Sequence, residues 1–188
     1  MTLARFVVSA APPPSARDAA ARAVLDTIGV MLAGASEPAA RIVQNVVAAD
    51  GGPCRVIGAA ACASATNAAL ANGTAAHAHD YDDMCFVSLA HPSAPLVAGA
   101  LAAAETVGAS GRALLDAYIV GFEIEGRLGR AMNPRHYQRG WHCTSTLGTI
   151  GTAAAVSRLL RLDEKAVGHA LAIAASQASG LKENFGTW

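Results

Sequence analysis

About a quarter of this chain is alanine, and aromatic residues make up only 5% of it although 53% is hydrophobic. Side chains that small cannot bridge the wide gap between a sheet and its covering layer. They let helices approach closely, and alanine is the strongest intrinsic helix former. An all-α, alanine-rich helical bundle is therefore expected. A chain of 188 residues buries about 70% of its unfolded surface, so one core needs no staples. No repeat, low-complexity linker or charge block divides the sequence, and one domain over 1–188 is the expectation.

Glycine and proline punctuate the apolar periodicity. After Pro12-Pro13-Pro14, the residues Ala20, Ala23, Val24, Thr27, Ile28 and Met31 recur at three and four, which predicts a helix from near Ser15 to Gly34. Further helices are predicted over 38–50, with Ile42, Val43, Val46 and Val47 on one face, and over 64–76, 92–107, 110–131, 144–160 and 163–179. Cys54–Gly58 reads as a short extended piece, and Phe6–Ala11 as a leading segment that docks on the body. Gly121, Gly126 and Gly129 each weaken their helix by roughly 1 kcal/mol against alanine, so close helix contacts are expected there. Residues 77–91 and 133–140 read as polar loops.

Fourteen basic residues balance fourteen acidic ones, which argues against a nucleic-acid binder. The four cysteines form no CxxC pair and are read as reduced thiols of a cytoplasmic protein. No apolar run reaches the roughly 18 residues of a membrane span, so no membrane partner is expected. GxGxxG, GxxxxGKS and nucleophile-elbow patterns are absent, leaving nucleotide cofactors and serine hydrolysis unsupported.

Chemistry-bearing residues gather in three places: His77, His79, Asp80, Asp82, Asp83 and His91; then Arg139-Gly140-Trp141-His142-Cys143-Thr144; then Lys182 onward. The first group admits three readings: a metal site, a set of helix caps, or acid/base chemistry in which His91 titrates near neutrality and Asp80 orients it or takes a proton. Metal ligation is disfavoured because His77 and His79 do not share a helical face and no HExxH closes the shell. His142 reads either as packed between Trp141 and the next helix or as functional. In the functional reading a substrate carboxylate sits at the N-terminus of the helix starting at Thr144, beside His142 and Arg139. Lys182 reads as a solvated cation, and His136 and His169 receive no role.

In order along the chain, Ala71-Asn72-Gly73-Thr74-Ala75-Ala76-His77-Ala78-His79-Asp80-Tyr81-Asp82-Asp83, His91-Pro92-Ser93, Gly121-Phe122-Glu123, Gly140-Trp141-His142 with Thr144-Ser145-Thr146 and Gly148, and Ser179-Gly180-Leu181 with Phe185-Gly186-Thr187 resemble the MmgE/PrpD family. The resemblance implies the helical first domain of a lyase or epimerase that acts on small di- or tricarboxylates without metal or organic cofactor. It assigns active-site positions to Asp80, His91 and His142; Arg139 and Thr144 are substrate contacts on the helix-terminus reading above. It also implies a homodimer paired through the helical domain, so that alanine-rich, glycine-notched faces serve as subunit contacts. The expected chemistry is 2-methylcitrate dehydratase-like loss of water, as in propionate catabolism.

Departures from the family pattern bear on that expectation. Met84 stands where several relatives have threonine, which puts the substrate in question. His79 replaces a commonly apolar residue. The family's Lys-x-x-His-x-Gly stretch after the Gly-Thr pair and its second α/β domain are not in this sequence. The chain is therefore expected to behave as a truncated form with little activity and an apolar flank on its last helix. The competing expectations are a non-catalytic helical module that dimerises or binds carboxylate, and a metal-dependent hydrolase.

Overall fold

The computed structural model describes residues 1–184. The Phe185-Gly186-Thr187 piece of the resemblance lies outside them. The described chain is an all-α bundle with one small hairpin. Its elements are α1 (Leu3–Ser9), α2 (Pro14–Gly34), α3 (Pro38–Val47), β1 (Cys54–Val56), β2 (Ala61–Ala63), α4 (Ala65–His77), α5 (Ser93–Val107), α6 (Gly111–Met132), α7 (Arg135–Gln138), α8 (Cys143–Leu159) and α9 (Glu164–Gln177), followed by a 3-10 turn over Lys182–Asn184.

Local signals set the helix ends. Thr2, Ser110 and Asp163 accept hydrogen bonds from the amides of Arg5, Ala113 and Ala166 at the starts of α1, α6 and α9. Pro14 and Pro38 open α2 and α3 with a pre-set φ. Gly108, left-handed at φ 62°, closes α5. The leading segment folds into α1, and Arg158 at the far end of α8 secures it by donating to the carbonyls of Val7, Val8 and Ala10.

Helix α5 is apolar on every side and lies at the centre, against α4, α6 and α8. Small residues bring its neighbours close. A Cβ at Gly121 would lie 2.5 Å from Leu96 Cδ2 and 2.8 Å from the Gly151 carbonyl oxygen, and one at Gly148 would lie 2.7 Å from Pro95 Cγ. The glycine notches therefore fit other helices of the same chain, where subunit contacts were expected. Gly129 meets the Ser88 backbone, but Gly126 faces open space, and no compensating contact exists there.

Buried Asn72, inside α4, donates to the Arg55 carbonyl and accepts from the Ile57 amide, tying the hairpin to the helix. Arg17 and Asp116 join α2 to α6 through two hydrogen bonds.

Two expectations change. Helix α3 ends at Val47, and only Val43 and Val47 of its apolar set pack inward; Ile42 and Val46 are exposed. Residues 133–140 contain α7, because Asn133 accepts from the Tyr137 amide and donates to the Ser88 carbonyl. On α9, Val167, Leu171 and Ala174 pack inward or partly so, while Ile173 is exposed. No single helix among the described residues is long and apolar enough to cross a membrane.

Gly121→Val is expected to destabilise the fold by about 3 kcal/mol through overpacking between α5 and α8. Gly126→Ala, which fills open space, is expected to be neutral or stabilising by up to about 1 kcal/mol. Urea denaturation of both variants checks the contrast, and equal midpoints would contradict the close approach.

Candidate functional site

The C-terminal end of α4, the 78–92 loop and the N-terminus of α8 enclose a cleft of about 330 Å³. His77, Asp80, His91, His142 and Thr144 line it, with Met84, Leu89 and Tyr137 as its less polar walls. The loop enters the cleft under backbone strain. Asp80 and Leu89 both have left-handed φ, at 55° and 51°, a region that costs non-glycine residues about 1–3 kcal/mol and concentrates at functional sites.

Asp82 organises the imidazoles. Its side chain is fully buried, and both of its oxygens lie within 3.0 Å of His77 Nδ1. Its Oδ1 is 3.6 Å from His91 Nδ1, which is buried and makes no hydrogen bond. Asp80 lies on the solvent side, 3.7 Å from His91 Nε2 and 4.0 Å from His77 Nδ1. The rings of His77 and His91 stand edge to face with centroids 5.0 Å apart, and His142 is 6.4 Å from His77. Thr144 accepts the His91 amide through its hydroxyl at 2.9 Å, fixing the backbone of that histidine against α8.

The environments of two imidazoles diverge. The hydrogen bond to Asp82 raises the His77 pKa above the ordinary value, against the opposing effect of burial and with further help from the charges of Asp82 and Asp80. His142 is pushed down by burial, then by the nearby positive charge of His77 and His91. Two imidazoles whose environments shift their pKa values in opposite directions thus share one cleft.

Asp80, His91, His142 and Thr144, singled out in the sequence, all line this cleft. Arg139 does not join them; it is exposed and lines a separate depression with Arg135, His136 and Trp141. His136 is the histidine that stacks on Trp141, with the rings 8° from parallel, and its Nε2 is 2.7 Å from the Thr146 hydroxyl. His142, for which that packing was an alternative, faces the cleft. His79 turns away to stack on Tyr81 and approach Glu37.

The sequence places His77 and Asp82 in the first cluster, as metal or capping candidates, without a part in its acid/base reading, and gives Tyr137 no role. Lys182 also sits closer to the cleft than a solvated cation would. The amide of Lys182 donates to the Gly140 carbonyl and that of His142 to the Gly180 carbonyl, and this ladder places the Lys182 ammonium 4.5 Å from the centre of the Tyr137 ring. The motif adjacency of Gly180-Leu181 to Lys182 was the available signal.

Asp82→Asn is expected to lower the His77 pKa from its wild-type value, since burial is then opposed only by the charge of Asp80. In the wild type the raised value makes the pair's stabilisation complete below about 6.5 and lost as pH rises through the folded-state value. NMR titration of the His77 ring and urea midpoints across that window check both; an unmoved His77 titration in the variant would contradict the pairing.

The model of the MmgE/PrpD N-terminal domain matches residues 1–187. The chain is 38% identical over 127 residues to a human cis-aconitate decarboxylase, covering 65% of this chain and 26% of that protein. It is 31% identical over 166 residues to the Aspergillus terreus cis-aconitate decarboxylase, covering 84% of this chain and 34% of the relative. It is 34% identical over 170 residues to the Aspergillus oryzae cis-aconitate decarboxylase-like protein oryM, covering 84% and 35%. These matches span about a quarter to a third of each relative's length. With the domain model covering nearly its whole length and the motif residues converging on one cleft, the chain belongs to the MmgE/PrpD family.

Proposed function

We propose that the cleft is the proton-transfer wall of a lyase site for a small polycarboxylate. The observation that carries this is the pairing, in one cleft, of a histidine held toward the cationic form with one held toward the neutral form. In loss of carbon dioxide from an unsaturated tricarboxylate, the breaking C–C bond leaves its electron pair on the conjugated carbon framework. A carbon of that framework must then take a proton, which His77 or His91 supplies. In loss of water, neutral His142 takes the proton beside a carboxylate and a protonated imidazole gives one to the departing hydroxyl. Either use of an imidazole is worth roughly 10²–10⁴ in rate.

The relatives named cis-aconitate decarboxylases favour cis-aconitate and loss of carbon dioxide; dehydration of 2-methylcitrate, expected from the sequence, is the second reading. The N-terminus of α8 and Lys182 supply positive potential for the carboxylates. Arg139, if it contributes, does so from the neighbouring depression. No lysine or arginine lines the cleft among the described residues, and the Asp80 side chain is 75% exposed. The 188 residues alone are accordingly read as weakly active or inactive. A homodimer in the cytoplasm, using no cofactor, completes the reading.

Tricarballylate, a non-reacting tricarboxylate, is expected to shift the NMR signals of the His77, His91 and His142 rings and leave exposed His169 unmoved. His142→Ala and Lys182→Met are each expected to weaken its binding by about tenfold, or 1.4 kcal/mol. Saturating tricarballylate that moves none of the three rings would sink the function. Turnover of cis-aconitate or 2-methylcitrate by the 188-residue chain is expected near background. Clear turnover abolished by His91→Ala would establish catalysis and overturn the claim of weak activity. Sedimentation at micromolar concentration checks the dimer, for which a monomer alone is the contrary result.

A further inference from the structure

The geometry points to a divalent transition-metal site, for zinc above all, in which His77, Asp80, Asp82 and His91 are the ligands and the ion inhibits rather than assists. One ligating atom from each of the four lies within 4.8 Å of the other three. Zinc binds imidazole nitrogen and carboxylate oxygen at about 2.0–2.2 Å in tetrahedral sites, which sets neighbouring ligand atoms about 3.4 Å apart. The separations already present are 2.9 Å for His77 Nδ1 to Asp82, 3.7 Å for His91 Nε2 to Asp80 and 4.0 Å for His77 Nδ1 to Asp80. Shifts of less than an ångström bring these three to the required spacing, and the remaining pairs start within 4.8 Å.

The ligand chemistry fits as well. Two imidazoles and two carboxylates suit zinc in softness, and the carboxylates balance its charge. Buried Asp82 anchors one side of the site, while exposed Asp80 can swing to close the other. The sequence spacing hid this set because His77 and His79 do not share a face. The structure pairs His77 instead with His91, which returns from the far end of the loop, and sends His79 to Tyr81.

A bound ion occupies the one basic ring nitrogen of each of His77 and His91, so neither ring can then take up and deliver the second proton of its cationic form. This inhibitory consequence rests on the proposed function, whereas the binding itself does not.

The test is calorimetric titration of the untagged 188-residue chain with zinc chloride in a non-chelating buffer, with cobalt(II) absorption as a report on coordination. One zinc per chain is expected, with a dissociation constant of about 10 μM or tighter, and visible cobalt bands of tetrahedral intensity. His91→Ala and Asp80→Asn are each expected to weaken binding by about tenfold or more. Asp80 is exposed, so its substitution leaves the fold intact, and circular dichroism confirms that for both variants. Absence of saturable binding, or stoichiometric binding that both variants leave unchanged, overturns the site. Zinc that binds as expected while tricarballylate moves none of the three rings leaves the metal site standing and defeats the lyase reading; the reverse pair of results does the opposite.

Discussion

The close approach of α6 to α8 governs the geometry of everything downstream of it. Gly121 and Gly151 remove the two Cβ atoms that would hold the helices apart, and the Glu125 side chain fills the space left at Gly151, where a Cβ would lie 2.6 Å from its Oε1. Glu125 is 1% exposed, and neither of its carboxyl oxygens has a hydrogen-bond partner among the described residues. Burial, with the charges of Asp83 and Cys85 behind it, raises its pKa well above the ordinary carboxyl value. Burial thus disfavours the charged form of a side chain that fills the notch left by Gly151. Because α8 is held this tightly along its length, its first turn is delivered rigidly to the cleft.

From that base, two adjacent carboxylates divide the loop between the core and the cleft. Asp83 accepts the Ser93 amide at 3.0 Å and its hydroxyl at 2.6 Å, and Ser93 is 2.7 Å from the buried Tyr118 hydroxyl. This caps the N-terminus of α5 and fixes the loop to the most buried helix. Asp82, one residue earlier, points the other way and holds His77. The Asp82-Asp83 pair thus carries both the anchorage of the loop and the hydrogen bond to His77. The left-handed turn at Asp80 is tolerated because the anchored neighbours over-determine it.

Helix content was legible because alanine periodicity and glycine or proline stops coincide, as at Gly34 and Gly108. The exposed positions of Ile42 and Val46 were not, since an apolar residue on a helix face does not say whether anything covers it. In the site, His91 and His142 could be read because recognisable motif pieces surround them. His77 and Asp82 could not be paired from spacing, because one ends a helix and the other follows a left-handed residue, where no periodicity governs direction. Arg139 was placed with His142 on sequence adjacency alone. Gly140, at φ 93°, turns the chain between them, and α7 carries the guanidinium to the depression by Trp141. The His142 alternative failed for a related reason: the ring stacked on Trp141 comes from His136, five residues earlier, brought back by α7.

Among the described residues, no lysine or arginine lines the cleft. A site that held its substrate with several close cations would depress the pKa of every imidazole among them, and no ring would remain available to deliver a proton near neutrality. Here the positive potential comes from the end of α8 and from Lys182 at the Tyr137 edge, while the hydrogen bond to buried Asp82 raises the His77 pKa against its own desolvation. His142 is lowered first by its own burial and then by the charges of His77, 6.4 Å away, and of His91. Asp82 thereby acts directly on one ring and only secondarily on the other, whose desolvation leads.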